Sequence, residues 1–372
     1  MSKRLVLALF LVIFMVSAQA LLSDSNFSNV VTSDQSARCL NCHYSRQKKL
    51  VENWEKSKHA RNKVGCYECH HAEPSDSAAK NGHFGFSVQL PVSPNRCAEC
   101  HPAQYNSFAS SSHSLAYETI RNAELASASP VLFETTCASC HGNELLMMNG
   151  RPDTNKWPNH GIGRINTDGS RGSCVACHSH HDYSLEFARS PETCGRCHRG
   201  MTGPAYEAWK SSKHGSNWSI ARTSADFNAS SMIPSEQPVA YPDCFICHIA
   251  ATGKDKHDST HNPGERLSWK LAAVKSSYRK DWGKQRQTMQ NICRGCHGNS
   301  QVELFYRRFD ATVMEINSLT GKALQSNASD TEMPEIIKNH AISAKTGAAM
   351  LGPVYLRDSA LKIKNMIKTL QE

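Results

Sequence analysis

Residues 172–198 read "GSCVACHSHHDYSLEFARSPETCGRCH" and contain one five-residue motif twice. Each copy is Cys-x-x-Cys-His, and the first cysteines of the copies are Cys174 and Cys194. Two more histidines, His180 and His181, lie between them. Two such motifs so close together, with spare histidines in the gap, indicate neighbouring groups that each need two thiols and an imidazole.

The same motif accounts for every cysteine of the chain. It occurs eight times and uses all 16 cysteines. Cys-x-x-Cys-His is the attachment motif of c-type haem, in which two thiols bond the porphyrin and the histidine ligates the iron. A zinc site or a redox-active cysteine pair needs no histidine after every pair. The sequence therefore predicts eight covalent haems, held at Cys39–Cys42–His43, Cys66–Cys69–His70, Cys97–Cys100–His101, Cys137–Cys140–His141, Cys174–Cys177–His178, Cys194–Cys197–His198, Cys244–Cys247–His248 and Cys293–Cys296–His297.

The N-terminus has the pattern of a secretory signal peptide. Lys3 and Arg4 precede an apolar run from Leu5 to Val16, and Ala18-Gln19-Ala20 fits a cleavage site. The alternative is a membrane anchor, but a span needs about 20 apolar residues. We therefore expect cleavage of residues 1–20 and export to the periplasm, where c-type haems are attached.

The ratio of chain to cofactor predicts the fold class. Without residues 1–20, about 44 residues remain for each haem, which is too few for an apolar core around each one. We expect a mainly α multihaem cytochrome c fold, with short helices and loops wrapped around eight packed haems over residues 21–300. Residues 301–372 are predicted to form C-terminal helices, because Val302, Phe305 and Phe309 recur at helical spacing. A last helix is expected after an N-cap at Asp358 or Ser359.

The net charge of +9 would ordinarily suggest an acidic partner such as nucleic acid. Each haem carries two propionates, however, and eight haems would largely cancel the basic excess. No nucleic-acid partner is therefore predicted.

Eleven histidines remain after the proximal ones, and some of them must supply the second axial ligands. Two segments, "WEKSKHA" (54–60) and "WKSSKHG" (209–215), share the pattern Trp-x-x-Ser-Lys-His, and "FASSSHS" (108–114) is a weaker copy. The predicted distal ligands are His59, His71, His113, His181, His214 and His261. The other five histidines could be distal ligands or surface residues: His83, His160, His180, His257 and His340.

Four stretches extend the pattern beyond haem attachment, and together they resemble the octahaem hydroxylamine oxidoreductase family. They are "WPNHGIGRINTDGSRGSCVACHSHHDYSLEFARSPETCGRCHRG" (157–200), "YEAWKSSKHG" (206–215), "CFICHIAATGKDKHDSTHNPGERLSW" (244–269) and "CRGCHGNSQVELFYRRFDATVMEIN" (293–317). In that family the fourth haem has no distal protein ligand and binds substrate, whereas the other seven are bis-histidine. The resemblance implies an open haem at Cys137, Cys140 and His141, and makes His160 in "WPNHG" a candidate acid or base.

The resemblance also extends to the C-terminus. Oxidative members carry a tyrosine, supplied by a neighbouring subunit, that is cross-linked to the catalytic porphyrin within a pattern like Gly-x-x-Met-x-Gly-Pro-x-Tyr. Here "GAAMLGPVY" (347–355) puts Tyr355 in that place. The chain departs from the pattern at Leu356-Arg357-Asp358 and at Thr346. The C-terminal helices would then be those of a homotrimer.

Together these features predict a periplasmic oxidoreductase of small nitrogen compounds. It would oxidise hydroxylamine, or reduce nitrite or hydroxylamine to ammonium, and exchange electrons with a cytochrome or a quinone-linked membrane partner. Two alternatives stay open at this point. One is a non-enzymatic electron-transfer cytochrome, since eleven spare histidines could saturate every iron. The other is an octahaem reductase of sulfur oxyanions.

Overall fold

The structure is a computed structural model that describes residues 27–122, 129–154, 158–200, 203–227, 242–250, 259–326 and 332–368. The predicted signal peptide (1–20) and His257 lie outside these residues. Within them, no helix combines the length and the apolar character needed to cross a membrane. The chain divides between Leu90 and Pro91 into two compact units. The boundary predicted near residue 300 falls inside the second unit.

The first unit consists of four helices and a hairpin. After a 3-10 turn at Phe27–Asn29 come α1 (Asp34–Arg46), α2 (Lys48–Glu55), α3 (Lys58–Arg61) and α4 (Cys66–His70), followed by the antiparallel pair β1 (Ala79–His83) and β2 (Phe86–Gln89). Its small core contains Leu40, Val51 and Trp54. Two haem-attachment motifs lie on α1 and α4, so about half of the unit's helices serve haem attachment directly.

Short elements make up the first half of the second unit. They are α5 (Pro94–Ala98), α6 (Pro102–Ala109), α7 (Pro130–Leu132), a π-turn (Phe133–Cys137), α8 (Ala138–His141), β3 (Met147–Met148), β4 (Arg151–Pro152), a 3-10 turn (Cys174–Ala176), α9 (Leu185–Arg189), α10 (Pro191–Gly195), α11 (Ala205–Lys210), α12 (Lys213–Ala221), α13 (Cys244–His248) and a 3-10 turn (Pro263–Arg266). Proline at the start of several helices sets φ where no N–H partner is needed. The prediction of a mainly α fold of short helices and loops is confirmed.

The second half of this unit is built differently. After β5 (Trp269–Lys270) and β6 (Ser277–Tyr278) come α14 (Trp282–Arg294), α15 (Asn299–Ser326), α16 (Met333–Ala349) and α17 (Pro353–Lys368). The last three helices pack on each other around an ordinary apolar core, whose fully buried members are Ile316, Ala323, Ile337, Ala341, Ala344 and Ile363. The predicted C-terminal helices are therefore present.

One detail of the C-terminal prediction was wrong. The last helix begins at Pro353, so Asp358 and Ser359 lie inside it and neither is an N-cap. Proline has a φ suited to the first helical turn, and Gly352 allows the chain to turn tightly beside the backbone of Ala208. Within this helix Ile363 is fully buried, whereas Leu361 is exposed.

Candidate haem-binding sites and active site

The proximal histidines are held in the orientation that metal ligation needs. The Nδ1 atom of His70 lies 2.8 Å from the carbonyl oxygen of Gln89, and that of His141 lies 3.0 Å from the carbonyl oxygen of Ala116. Because a carbonyl can only accept, Nδ1 carries the proton and Nε2 remains available to a metal. The Nδ1 atoms of His43 and His248 meet oxygen atoms in the same way, from the Gln47 side chain and the Pro263 carbonyl, at 2.8 and 3.2 Å.

Four proximal histidines face a second imidazole at a separation that fits an iron between them. A metal about 2 Å from each imidazole nitrogen puts the two ring centroids roughly 6 Å apart. The observed centroid separations are 6.1, 5.8, 6.5 and 6.1 Å, for His43 with His83, His198 with His113, His178 with His261, and His297 with His214. The separations therefore fit bis-histidine haems, and the ligation of a haem by each pair stays a prediction.

The pairs place three of the predicted distal ligands, His113, His214 and His261, opposite proximal histidines. They also place His83 opposite His43. The sequence did not decide whether His83 is a distal ligand or a surface residue. His83 ends β1 at the tip of the hairpin, far from any Trp-x-x-Ser-Lys-His pattern. Only the packing of the hairpin against the motif on α1 brings it to His43.

The Trp-x-x-Ser-Lys-His pattern has a structural explanation. In the copy at 209–215, the Trp209 indole donates a hydrogen bond to the Pro242 carbonyl. Ser212 caps α12 by accepting a hydrogen bond from the Gly215 N–H. The buried tryptophan anchors the segment and the capping serine starts a new helix, so His214 lies in its first turn at a fixed position.

The copy in the first unit is built alike. Trp54 donates a hydrogen bond to the Val64 carbonyl, and Ser57 caps α3, which carries His59. Of the other predicted distal ligands, His71 has its Nδ1 atom 3.0 Å from the Tyr67 carbonyl oxygen, which leaves Nε2 for a metal. The ring of His181 lies 6.5 Å from that of His180. The distal roles of all six predicted ligands, His59, His71 and His181 included, stay predictions.

The state of the cysteines is compatible with haem attachment. All sixteen thiols are free of disulfide bonds. In the part of the chain that the structure describes, no three or more His, Cys, Asp or Glu side chains converge as a metal ion would require. A porphyrin spaces two thiols and one imidazole around a large ring, so haem attachment does not require a compact ligand cluster.

Attachment motifs of the second unit lie next to one another. The thiols of Cys97 and Cys174 are close enough that interaction with Cys174, together with burial, raises the pKa of Cys97. Cys194 and Cys244 are likewise close together, and the interaction raises the pKa of Cys244. Burial raises the pKa of Cys197 to about 12, and its hydrogen bond to Cys140 adds to the effect. Sites that are far apart in sequence are thus neighbours in space, as a chain of electron-transfer centres requires.

The motif that ends at His141 is enclosed by a tightly packed loop. The Ile162 N–H donates to the Cys140 carbonyl at 2.9 Å, and the Gly163 N–H donates to the His141 carbonyl at 3.2 Å. A Cβ atom on Gly161 would lie 2.0 Å from the backbone nitrogen of Gly142. Any side chain at Gly161 would push this loop, and with it His160, away from the attachment helix.

His160 is brought together with His180, whose role the sequence did not identify. Their ring centroids are 5.4 Å apart in an edge-to-face arrangement. Burial lowers the pKa of His160, and His180, Arg164 and Arg196 lower it further. The pKa of His180 is likewise lowered, first by burial and then by the two arginines. Two imidazoles that favour the neutral form therefore lie beside the loop on the His141 motif, in a positively charged surrounding.

His141 differs from the four paired proximal histidines. The structure describes eighteen histidines, all except His257. Among these eighteen, none forms with His141 a ring pair like that of His261 with His178. The His198 imidazole of another motif is close enough for the His141 charge to lower its pKa.

Three other proximal histidines are also outside the four pairs. His70 and His101 make further contacts within the chain. His248 is followed by residues 251–258, which contain His257 and lie outside the described residues.

Tyr355 lies on α17, in its first turn. Its backbone and Cβ atom are so close to Gly347 that a Cβ there would lie 2.9 Å from the Tyr355 Cβ. Burial raises the pKa of its phenol, and the Glu207 carboxylate adds to this. Within one chain, Tyr355 is thus next to α11, and its predicted role at a neighbouring chain's porphyrin stays a prediction.

Two family models match the chain. One describes a multi-haem cytochrome with seven Cys-x-x-Cys-His motifs and matches residues 165–330. The other describes cytochrome c554 and c-prime and matches residues 15–71 and 96–179. A relative in Kuenenia stuttgartiensis, a probable nitrite reductase-hydroxylamine oxidoreductase fusion protein, is 24% identical over 278 residues. The match spans 67% of this chain and 29% of that relative, so the chain corresponds to less than a third of its length.

Solved structures share the fold. A hypothetical multiheme protein aligns with a TM-score of 0.80 and 23% identity, over 95% of this chain and 97% of that one. A chain of the Kuenenia stuttgartiensis reducing HAO-like protein complex aligns with a TM-score of 0.65 and 14% identity, over 94% and 88% of the two chains. The fold and the imidazole pairs thus define a multihaem c-type cytochrome. Within that class, the chain is similar to proteins described as hydroxylamine oxidoreductase-like.

Proposed function

We propose that the protein is a periplasmic oxidoreductase of small nitrogen compounds that carries eight c-type haems. Seven of them would have two histidine ligands and carry electrons. The haem at His141 would keep one axial position for substrate, either hydroxylamine or nitrite. When bound there, the haem supplies an iron that can take up a small nitrogen ligand and exchange electrons with it.

The observation that carries this proposal is the contrast among the proximal histidines. His141 has its Nδ1 atom anchored on the Ala116 carbonyl, as a ligand should, yet no described imidazole forms a ring pair with it. A purely electron-transferring cytochrome needs every iron saturated, and the chain has enough spare histidines to do so. An unpaired proximal histidine in the motif that corresponds to the family's catalytic site supports an enzyme.

The groups beside this motif suit proton transfer to small substrates. A neutral imidazole has one nitrogen that donates a proton and one that accepts it. His160 is the candidate for this role, because its loop is fixed to Cys140 and His141 through two backbone hydrogen bonds. The loop glycines keep it there, and His180 extends the polar surface.

The direction of the reaction is linked to Tyr355 and to the oligomeric state. A homotrimer would let Tyr355 of one chain reach the porphyrin of a neighbour, and a covalent bond there would favour withdrawal of electrons from substrate. Without that bond, reduction of nitrite or hydroxylamine to ammonium is the expected activity. Electrons would pass to or from a cytochrome or a quinone-linked partner.

Inhibition by cyanide tests the proposal. The purified holoprotein would be assayed for hydroxylamine oxidation with an artificial acceptor, for nitrite and hydroxylamine reduction with methyl viologen radical, and for tetrathionate and sulfite reduction. We expect activity on a nitrogen compound that disappears when one cyanide binds per chain. Activity on the sulfur compounds alone would favour a sulfur-oxyanion reductase, and no activity with no bound cyanide would favour an electron-transfer cytochrome.

A further inference from the structure

The tip of the β1–β2 hairpin exposes a phenylalanine beside a haem ligand. His83 pairs with Phe86 across the hairpin, so the turn consists of Phe84 and Gly85 alone. Both have positive φ, 51° and 91°, as two-residue hairpin turns of type I′ require. Asparagine and glycine adopt this conformation easily, whereas a bulky aromatic residue is strained in it.

Phe84 is also 70% exposed. Its ring meets that of His83 edge to face, with centroids 5.2 Å apart, and His83 faces His43 at 6.1 Å. An aromatic residue at this position has an unfavourable backbone conformation, and its exposed side chain is not stabilised by burial within its own chain. Such a combination is typical of a residue kept for an interaction.

A basic surface begins on the other side of the same haem site. The Gln47 side chain holds the Nδ1 atom of His43, and Arg46, Lys48 and Lys49 directly flank Gln47. Lys48 pairs with Glu52 at 3.7 Å on the surface, whereas Lys49 is exposed and forms no ion pair with a described residue. Between residues 46 and 63 the chain has seven basic and two acidic side chains: Arg46, Lys48, Lys49, Lys56, Lys58, Arg61 and Lys63 against Glu52 and Glu55.

We propose that the protein exchanges electrons with an acidic electron-transfer protein at this surface. We call the surface, which lies at the haem site of His43, the haem 1 port. The port consists of Phe84 on the distal side and of Arg46, Lys48 and Lys49 on the proximal side. Phe84 and the basic side chains lie on the two sides of the same haem site, so charge would steer the partner towards the haem and the exposed aromatic residue would make a contact beside it. Each encounter moves one electron between the partner and an iron, and no bond is made or broken.

The inference rests on haem ligation by His43 and His83 and not on the substrate proposed above. An electron-transfer cytochrome would need such a port as much as an enzyme would. The docking proposal can therefore be wrong while the proposed enzymatic activity is right. Equally, the docking proposal can be right while the proposed activity is wrong.

The test is the rate at which a reduced plant-type [2Fe–2S] ferredoxin, an acidic one-electron donor, reduces the fully ferric holoprotein in a stopped-flow experiment. The charge variant is Lys48→Glu with Lys49→Glu. Its matched control is Lys280→Glu with Lys284→Glu, which makes the same charge change on exposed lysines of the second unit, next to the exposed Trp282. Rates would be compared from low to physiological ionic strength.

We expect the Lys48/Lys49 variant to react about 10-fold more slowly at low salt and to lose most of the salt dependence, because it removes the steering charge. The control variant should change the rate less than about 2-fold. Equal slowing of both variants, or no slowing of either, would overturn the proposal. Reduction by methyl viologen radical at high salt confirms that the haems of each variant are intact.

Phe84→Ser tests the aromatic contact, with Ile220→Ser as its control, because Ile220 is 72% exposed in the second unit. We expect Phe84→Ser to slow the ferredoxin reaction several-fold without changing its salt dependence, and Ile220→Ser to have no effect. A variant that keeps the wild-type rate but alters the low-spin haem spectrum would show that Phe84 packs on the porphyrin, and the docking role would be wrong.

Discussion

The motifs that end at His141 and His178 have the same five-residue pattern but different surroundings. His178 faces His261, with ring centroids 6.5 Å apart and planes 20° apart. His141 forms no such ring pair with a described imidazole, and beside its motif runs the tightly packed loop that carries His160. The local motif determines that a haem is attached. We propose that what lies across from the histidine determines whether that haem only conducts electrons or also binds substrate.

The largest expected effect comes from removing either motif altogether. Cys137→Ala with Cys140→Ala, and Cys174→Ala with Cys177→Ala, should each prevent accumulation of folded holoprotein, because packed haems replace most of an apolar core in this region. A loss on the order of the whole folding free energy, about 5–15 kcal/mol, is expected. Thermal unfolding and haem content by mass spectrometry measure it.

A matched control for this prediction is Ile337→Ala in the apolar core of the C-terminal helices. It should cost about 2–5 kcal/mol and leave all haems bound. If the variants that lack a cysteine pair stay folded with an unchanged melting temperature, the haems are not the core of this region.

His160→Gln should remove proton transfer at the His141 site only. We expect a decrease of about 100-fold in kcat on the nitrogen substrate, within the range for a general acid or base, with haem spectra unchanged. His340→Gln is the control, since His340 lies on α16 of the C-terminal helices. A His160→Gln enzyme with full activity would assign His160 a structural role in its loop.

His261→Gly should make the His178 site resemble the His141 site. One additional haem should become high-spin, and the number of cyanide ions bound per chain should rise from one to two. Added imidazole should reverse both changes. Should His261→Gly leave the spectrum and the cyanide count unchanged, the pairing of His261 with His178 would be incorrect.

Tyr355→Phe is expected to have the smallest effect on the isolated chain and to reveal the direction of catalysis. If Tyr355 is bonded to a neighbouring porphyrin, denaturing gels of the wild-type protein show bands at multiples of the monomer mass, and the variant lacks them. Hydroxylamine oxidation should then fall several-fold more than reduction. A wild-type protein that runs as a monomer, with an unmodified Tyr355 in its peptide map, would favour the reductive reaction.

Local patterns made much of this predictable from sequence. Five consecutive residues define each attachment site, so the proximal histidines could be read directly. Trp209, Ser212 and His214 lie within six residues, and their anchor, cap and ligand form one local unit. The helical spacing of Val302, Phe309 and Val313 also indicated correctly that these side chains lie on the buried face of a helix.

Long-range pairing could not be read in this way. His83 reaches His43 only because a hairpin folds back on α1, and His180 meets His160 only because the loop at 158–164 packs on the His141 motif. A histidine at a strand end has no sequence pattern that distinguishes it from a surface residue. The start of α17 was misplaced for a related reason, because Gly352 packs on the Ala208 backbone and lets the helix begin earlier.

The most direct test of the contrast between His141 and His178 is a count of high-spin ferric haems by low-temperature electron paramagnetic resonance on the oxidised holoprotein. The account predicts a high-spin signal of one haem per chain that disappears when one equivalent of cyanide is added, while the low-spin signals of the other seven stay unchanged. A spectrum in which every haem is low-spin and cyanide has no effect would show that His141 also has a second protein ligand, and would contradict the account.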